Sequence, residues 1–282
     1  MFILNIGALA RLMRLDKPVG IALLWFPTAW ALWTANHGAP KLSLFVYFFL
    51  GTILMRSAGC VVNDMADRNI DKHVTRTKTR PITSGEVSVF QAMMLLFVLL
   101  LLALCILIQL PGACFYYAVF AVVITVFYPF CKRFFQAPQL VLGIAFSMGI
   151  PMAYAASEVP FDGVMYILFV MNAAWIVAYD TMYAMVDKPD DIKLGVKSTA
   201  ILFAQYDRFI ILLLQIVLHG GWLWLALYGQ YSPQFYVFWF LALGVLIYQQ
   251  SLIRNRNLSS CFRAFLTNAG YGLLMWIAIV FS

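Results

Sequence analysis

The sequence predicts an all-α integral membrane protein with nine transmembrane helices, and three observations carry that expectation. Of 282 residues, 63% are hydrophobic and only 11% charged, with a mean hydropathy of +0.86. An average soluble domain carries about 25% charged residues, so this chain lacks the polar side chains to cover a globule in water. Nine apolar runs are each near the ~20 residues that a helix needs to cross the hydrocarbon core. Threading those runs back and forth puts eighteen of the nineteen Lys and Arg residues on one side, the asymmetry that orients membrane proteins. A soluble enzyme, a disordered chain and a disulfide scaffold are excluded together; the five cysteines have no framework spacing.

The runs lie at 18–35, 42–62, 89–110, 113–131, 139–157, 163–186, 209–228, 233–250 and 264–281. Before the first come Arg11, Arg14 and Lys17, and no small-residue cleavage site follows it, so it is expected to stay as an anchor. The stretch 2–13 is a candidate for a short amphipathic helix lying along the interface. Connections are short except for 63–88 and 187–208, both polar and charged. No linker is long enough for a separate soluble domain, so 1–282 is expected to be one domain. The cation-rich side holds the N-terminus and the connections after the second, fourth, sixth and eighth runs, Arg56 included, and is expected to be cytoplasmic; the other side keeps only Lys41. The net charge of +7 therefore sits on one membrane face, where it sets topology and attracts anionic lipid. No soluble basic domain exists to bind nucleic acid, and no protein partner is implied.

Twelve acidic residues can be placed one by one. Glu158, Asp162 and Asp16 occupy interfacial positions, and Asp207 and Glu86 lie near helix starts, where a carboxylate complements the dipole. The other seven form two clusters. Asn63, Asp67 and Asp71 recur every four residues, with Asp64 seven before Asp71, so a continuing helix turns all four to one side. Asp180 lies within the sixth run, followed by Asp187, Asp190 and Asp191; Asp187 and Asp191 are an i, i+4 pair with Asp180 two turns back. Like charges so spaced repel, and near a low-dielectric helix end the cost reaches several kcal/mol in order of magnitude. A divalent cation offsets it best, because hard carboxylate and amide oxygens suit Mg²⁺.

Cations follow at a different spacing. Arg76, Lys78 and Arg80 come after the first cluster and Lys193 and Lys197 after the second, while Tyr128 and Lys132 are i, i+4 at the end of the fourth run, with Arg133 next. Acids to hold metal, with cations to spare, describe a site for a polyanion such as diphosphate.

These residues resemble the UbiA family of membrane prenyltransferases over nearly the whole chain. NDMADRNIDKHVTRTKTRPITSG, from Asn63 to Gly85, is similar to the family signature; YDTMYAMVDKPDDIKLGVKSTA, from Tyr179 to Ala200, is similar to its DxxxD region, with Asp187 and Asp191 as the pair; and YPFCK at 128–132 is similar to its YxxxK element. RLMRLDKPVG, beginning at Arg11, resembles members that use 4-hydroxybenzoate. The resemblance implies nine helices around a central cavity, Mg²⁺ as cofactor, and transfer of a long all-trans polyprenyl group from polyprenyl diphosphate to 4-hydroxybenzoate, ortho to its hydroxyl, in ubiquinone biosynthesis at a bacterial inner membrane. By that resemblance Asn63, Asp67 and Asp71, with Asp64 beside them, hold one ion and Asp187 and Asp191 the other. Lys132, Arg76, Arg80, Lys193 and Lys197 take phosphate charge, Tyr128 meets a phosphate oxygen or the prenyl cation, Asp180 faces substrate, and Arg133 or Arg14 pairs with the acceptor carboxylate.

The motifs bind diphosphate and metal and do not select an acceptor, so homogentisate, a naphthoate, haem or a lipid remain alternatives within the class. An ion-coupled transporter predicts ionisable residues near the bilayer midplane, and here only Asp180 is well inside a run, towards its cytoplasmic end. The DGxxAR opening of the CDP-alcohol phosphotransferases is missing, and neither GxGxxG nor a Walker pattern supports nucleotide use. His37, His73 and His219 are scattered, and most tryptophans suit packing.

Overall fold

Every apolar run becomes helix in the computed structural model, which describes residues 5–282. A short α1 (Ile6–Leu12) is capped by Asn5, whose side chain accepts from the Ala8 amide at 3.0 Å. It seats Ala8 and Leu12 in a cluster with Ala58, Val61, Ala92 and Leu99, so the described part of the 2–13 stretch is helical; residues 2–4 of it lie outside the described residues. Then come α2 (Val19–Ala35), α3 (Leu42–Asp67), α4 (Val89–Leu107), α5 (Ala113–Cys131), α6 (Pro138–Ser147), α7 (Gly149–Ala156) and α8 (Gly163–Leu194). A single turn α9 (Thr199–Leu202) precedes α10 (Asp207–Tyr228), α11 (Pro233–Leu252) and α12 (Leu258–Val280). Among the described residues, eight helical segments are long and apolar enough to cross a membrane, with α6 and α7 counted as one; α2, at 17 residues, is apolar but shorter.

Four boundaries differ by a turn or more from those expected: the ends of the second and sixth runs, a break within the fifth, and the start of the ninth, where α12 begins at Leu258 rather than 264. The second and sixth runs were expected to end at 62 and 186, but α3 continues to Asp67 and α8 to Leu194. Hydropathy ends where charge begins, whereas a helix ends only where its backbone is stopped, and α8 stops at Gly195 in the left-handed region (φ 69°). Both polar connections therefore begin as helix rather than loop. The fifth run is broken at Met148 into α6 and α7, because Pro151 has no amide to donate back into the preceding turn.

The bundle is filled at one end and open at the other. Trp30 of α2 lies 5.1 Å, ring centre to ring centre, from both Trp175 of α8 and Trp222 of α10, and all three are fully buried. Phe235, Tyr271 and Met275 complete this plug. By contrast α4 buries only Ala92 and Leu99 and turns Phe90 and Phe97 outward, a face that belongs in lipid rather than water. The chain is a multi-pass integral membrane protein.

Candidate active site

A cavity of about 1010 Å³ opens where the C-terminal ends of α3, α5 and α8 meet the N-terminal ends of α2 and α12. Asn63, Asp64 and Asp67 reach it from the last turns of α3. Asp71 reaches it too, but not as the next step of one helix face: α3 has ended, and Asp71 opens a 3-10 turn, Asp71–His73. From α8 come Asp180, Asp187 and Asp191, and the helical spacing expected of them is kept because α8 runs through Pro189. Tyr128, Lys132, Arg76, Arg80, Lys197 and Arg14 line the same cavity. The two acid clusters, far apart in sequence, thus share one chamber.

Within it, charge is paired across elements. Arg76 clasps Asp187 with Nε to Oδ1 at 2.9 Å and Nη2 to Oδ2 at 2.6 Å, its guanidinium 4.6 Å from the Tyr183 ring centre. Arg80 spans Asp64 at 3.0 Å and Asp71 at 2.8 Å. Lys132 donates to Asp67 Oδ2 at 3.3 Å, 5.3 Å from the ring centre of Tyr128, and its carbonyl accepts from the Lys197 amide at 2.8 Å. Burial pushes the Asp71 carboxyl above its ordinary range, opposed by Arg80. Burial works against the charges on Arg76, Arg80 and Lys132, but their anionic neighbours outweigh it, so each holds its proton more tightly than a free side chain.

The oxygens present suit a hard dication. Asp67 Oδ1 is buried with no hydrogen-bond partner, a costly state unless a cation completes it. Among the described residues no three His, Cys, Asp or Glu side chains converge tightly enough to hold a metal by themselves. Mg²⁺ does not require such a set, since it needs only one or two protein carboxylates and takes phosphate oxygens and water for the rest.

Two expected residues are not brought in. Arg133 donates to the Ala66 carbonyl at 3.1 Å, and Lys193 is exposed beside Asp190 at 3.7 Å; neither lines the cavity. Arg14 does line it, but its guanidinium is occupied by Asp64 at 2.8 and 2.9 Å.

One residue was missed. Arg56 lies within α3, well before the helix ends, and it lines the cavity with its Nε buried and unpartnered. Gly20 of α2 makes room for it: a Cβ there would come within 2.6 Å of the guanidinium. Tyr179, whose hydroxyl is also buried and unpartnered, lines the chamber too. The signal was present, since a guanidinium inside an apolar run marks a functional position by default; counting Arg56 only as a topology cation concealed it.

Residues 24–278 match the model of the UbiA prenyltransferase family. The chain is 59% identical over 273 residues to a protein named 4-hydroxybenzoate octaprenyltransferase from Legionella pneumophila strain Lens, covering 97% of each chain. It is 48% identical over 274 residues to one so named from Coxiella burnetii, covering 96% of this chain and 95% of that one. Among solved structures, the apo form of a UbiA homologue from Aeropyrum pernix superposes with a TM-score of 0.80 at 20% identity, over 92% of this chain and 96% of that one. A UbiA homologue from Archaeoglobus fulgidus bound to GPP and Mg²⁺ gives 0.71 at 17% identity, over 95% and 99%. At such identities these two likenesses speak for the fold.

Proposed function

Because the chain belongs to the UbiA prenyltransferase family, we propose that it transfers an all-trans polyprenyl group from polyprenyl diphosphate to 4-hydroxybenzoate. The product is 3-polyprenyl-4-hydroxybenzoate, formed in ubiquinone biosynthesis. The observation that carries this reading is the single chamber in which two carboxylate clusters and the cations paired with them meet inside an apolar bundle. We take residues 1–282 as one transmembrane domain in a bacterial inner membrane, with the N-terminus and cavity mouth cytoplasmic, on the strength of the one-sided cations.

Asn63, Asp67 and Asp71 would hold one Mg²⁺, and Asp187 and Asp191 another. Bound there, Mg²⁺ neutralises diphosphate charge and makes it a competent leaving group. Lys132, Arg76 and Arg80, preorganised by the pairs they already make, take the remaining phosphate charge together with Lys197. The Tyr128 ring, 5.3 Å from Lys132, faces the electron-poor allylic carbon or offers its hydroxyl to a phosphate oxygen. Leu23, Leu142 and Phe146 line the chamber and exclude water from that carbon. Arg56 receives the acceptor carboxylate in place of Arg133 or Arg14, since its Nε is unspent and Gly20 leaves it space. The ring carbon ortho to the phenol then bonds to C1 of the prenyl chain as the C–O bond breaks, its electrons leaving with the diphosphate, and loss of the ring proton restores aromaticity. A tail that remains in lipid holds the donor at the site, at ~0.8 kcal/mol per buried CH₂.

The test is an assay of membranes containing the protein with labelled polyprenyl diphosphate and, separately, 4-hydroxybenzoate, homogentisate, a naphthoate, haem or a glycerol phosphate lipid. Prenylated product from 4-hydroxybenzoate alone sustains the reading; product from another acceptor and none from this one overturns it.

A further inference from the structure

Of the neighbouring acids at the end of α3, one is unlike the rest. Asp64 has no oxygen to spare: Oδ1 receives Arg14 Nη2 at 2.8 Å and lies 3.0 Å from Arg80 Nη1, while Oδ2 receives Arg14 Nη2 at 2.9 Å. Its side chain is 1% exposed. Asp67, one turn on, keeps Oδ1 buried and unpartnered. A dication on Asp64 would have to displace a guanidinium from a carboxylate that is 1% exposed and strand it, which is strongly unfavourable, whereas the Asp187–Arg76 pair, 17% and 33% exposed, can open towards water.

What Asp64 holds comes from two other parts of the chain. Arg14 follows α1, and its backbone lies in the left-handed region (φ 59°), which a side chain other than glycine adopts only when its surroundings impose it. Its Nη1 reaches back to the Arg11 carbonyl at 2.9 Å, and Arg11 in turn pairs with Glu86 at the far end of the signature loop. Arg80 lies within that loop and grips Asp71 with the same nitrogen that meets Asp64. Arg11, Arg14 and Lys17 are themselves part of the cavity wall.

We propose that Asp64 is a positioning residue rather than a metal ligand. It is the anchor that draws the segment after α1 across the mouth of the chamber. This rests on the diphosphate and metal reading of the site. It divides the signature into ligands, Asn63, Asp67 and Asp71, and one acid whose work is to assemble the cover.

The experiment uses the full-length protein in lipid nanodiscs, where both faces are accessible. Two readouts are taken for Asp64→Asn, Asp67→Asn and Arg14→Gln: the Mg²⁺ concentration for half-maximal transfer, and the rate of tryptic cleavage after Arg11. For Asp64→Asn, kcat is expected to fall about tenfold because a loosened cover admits water to the reacting carbon, with the Mg²⁺ requirement unchanged and cleavage several-fold faster. Arg14→Gln reproduces both effects, and the double variant is cleaved no faster than either single one. Asp67→Asn raises the Mg²⁺ requirement and leaves cleavage as it was. A raised Mg²⁺ requirement in Asp64→Asn, or cleavage unchanged in Arg14→Gln, overturns the proposal, and Arg14→Gln alone decides it if Asp64→Asn does not fold. Cleavage needs no substrate, so an error about the acceptor leaves this test standing.

Discussion

The two ends of the bundle differ in the charge of the polar groups they bury. At the plugged end, Trp30, Trp175 and Trp222 pack at contact distance; Trp30 Nε1 donates to the Gly272 carbonyl at 3.2 Å and Trp175 Nε1 to Asn268 at 2.8 Å, and Trp222 Nε1, a neutral donor, is left without a partner. At the open end, Asp67 Oδ1, Arg56 Nε and the Tyr179 hydroxyl are buried with nothing to bond. Unsatisfied buried polar atoms destabilise a fold, by about 1–3 kcal/mol each for a neutral group and more for a charged one. One end is therefore built for stability and the other is held ready for charge that arrives with the substrate.

The largest test of that contrast falls on the open end. Asp67→Ala and Asp187→Ala are each expected to abolish transfer while the protein still inserts and folds, measured as labelled product from membranes with matched protein levels. An undiminished rate in either variant would remove the two-cluster account. Chelation by EDTA is expected to stop turnover, and added Mg²⁺ to restore it.

The plugged end should respond in the other currency. Trp30→Ala empties the centre of the aromatic cluster and is expected to cost about 3–5 kcal/mol of stability, the range for a large core aromatic. A lowered thermal midpoint with an unaltered Mg²⁺ requirement would sharpen the division; a raised Mg²⁺ requirement would break it.

Smaller effects separate the functions within the chamber. Arg56→Gln is expected to raise KM for 4-hydroxybenzoate by about 30-fold, roughly the 2 kcal/mol of a hydrogen bond to a charged group, and to leave KM for polyprenyl diphosphate as it was. Equal loss for both substrates would place Arg56 with the phosphate cations instead. Gly20→Ala, whose Cβ would crowd the same guanidinium at 2.6 Å, should give a few-fold version of that effect, since a flexible side chain can yield.

Much of this was legible from residue order alone. Composition marked the chain as a membrane protein, and the apolar runs marked its helices. The spacing of Asn63, Asp64 and Asp67, and of Asp187 and Asp191, foretold which acids share a face, because the helical period is a local property that sequence records directly. What sequence could not decide was partnership. Nothing in the order of residues says that Arg76 takes Asp187, that Arg14 takes Asp64 while Arg133 turns away, or that Gly20 opens space for Arg56. Those contacts join positions up to a hundred residues and more apart, and each depends on how helices cross rather than on how any one is written. Charge and periodicity are carried along the chain; a cavity exists only between chains of helix, and so its lining, and which oxygen in it is left unspent, belongs to the tertiary structure.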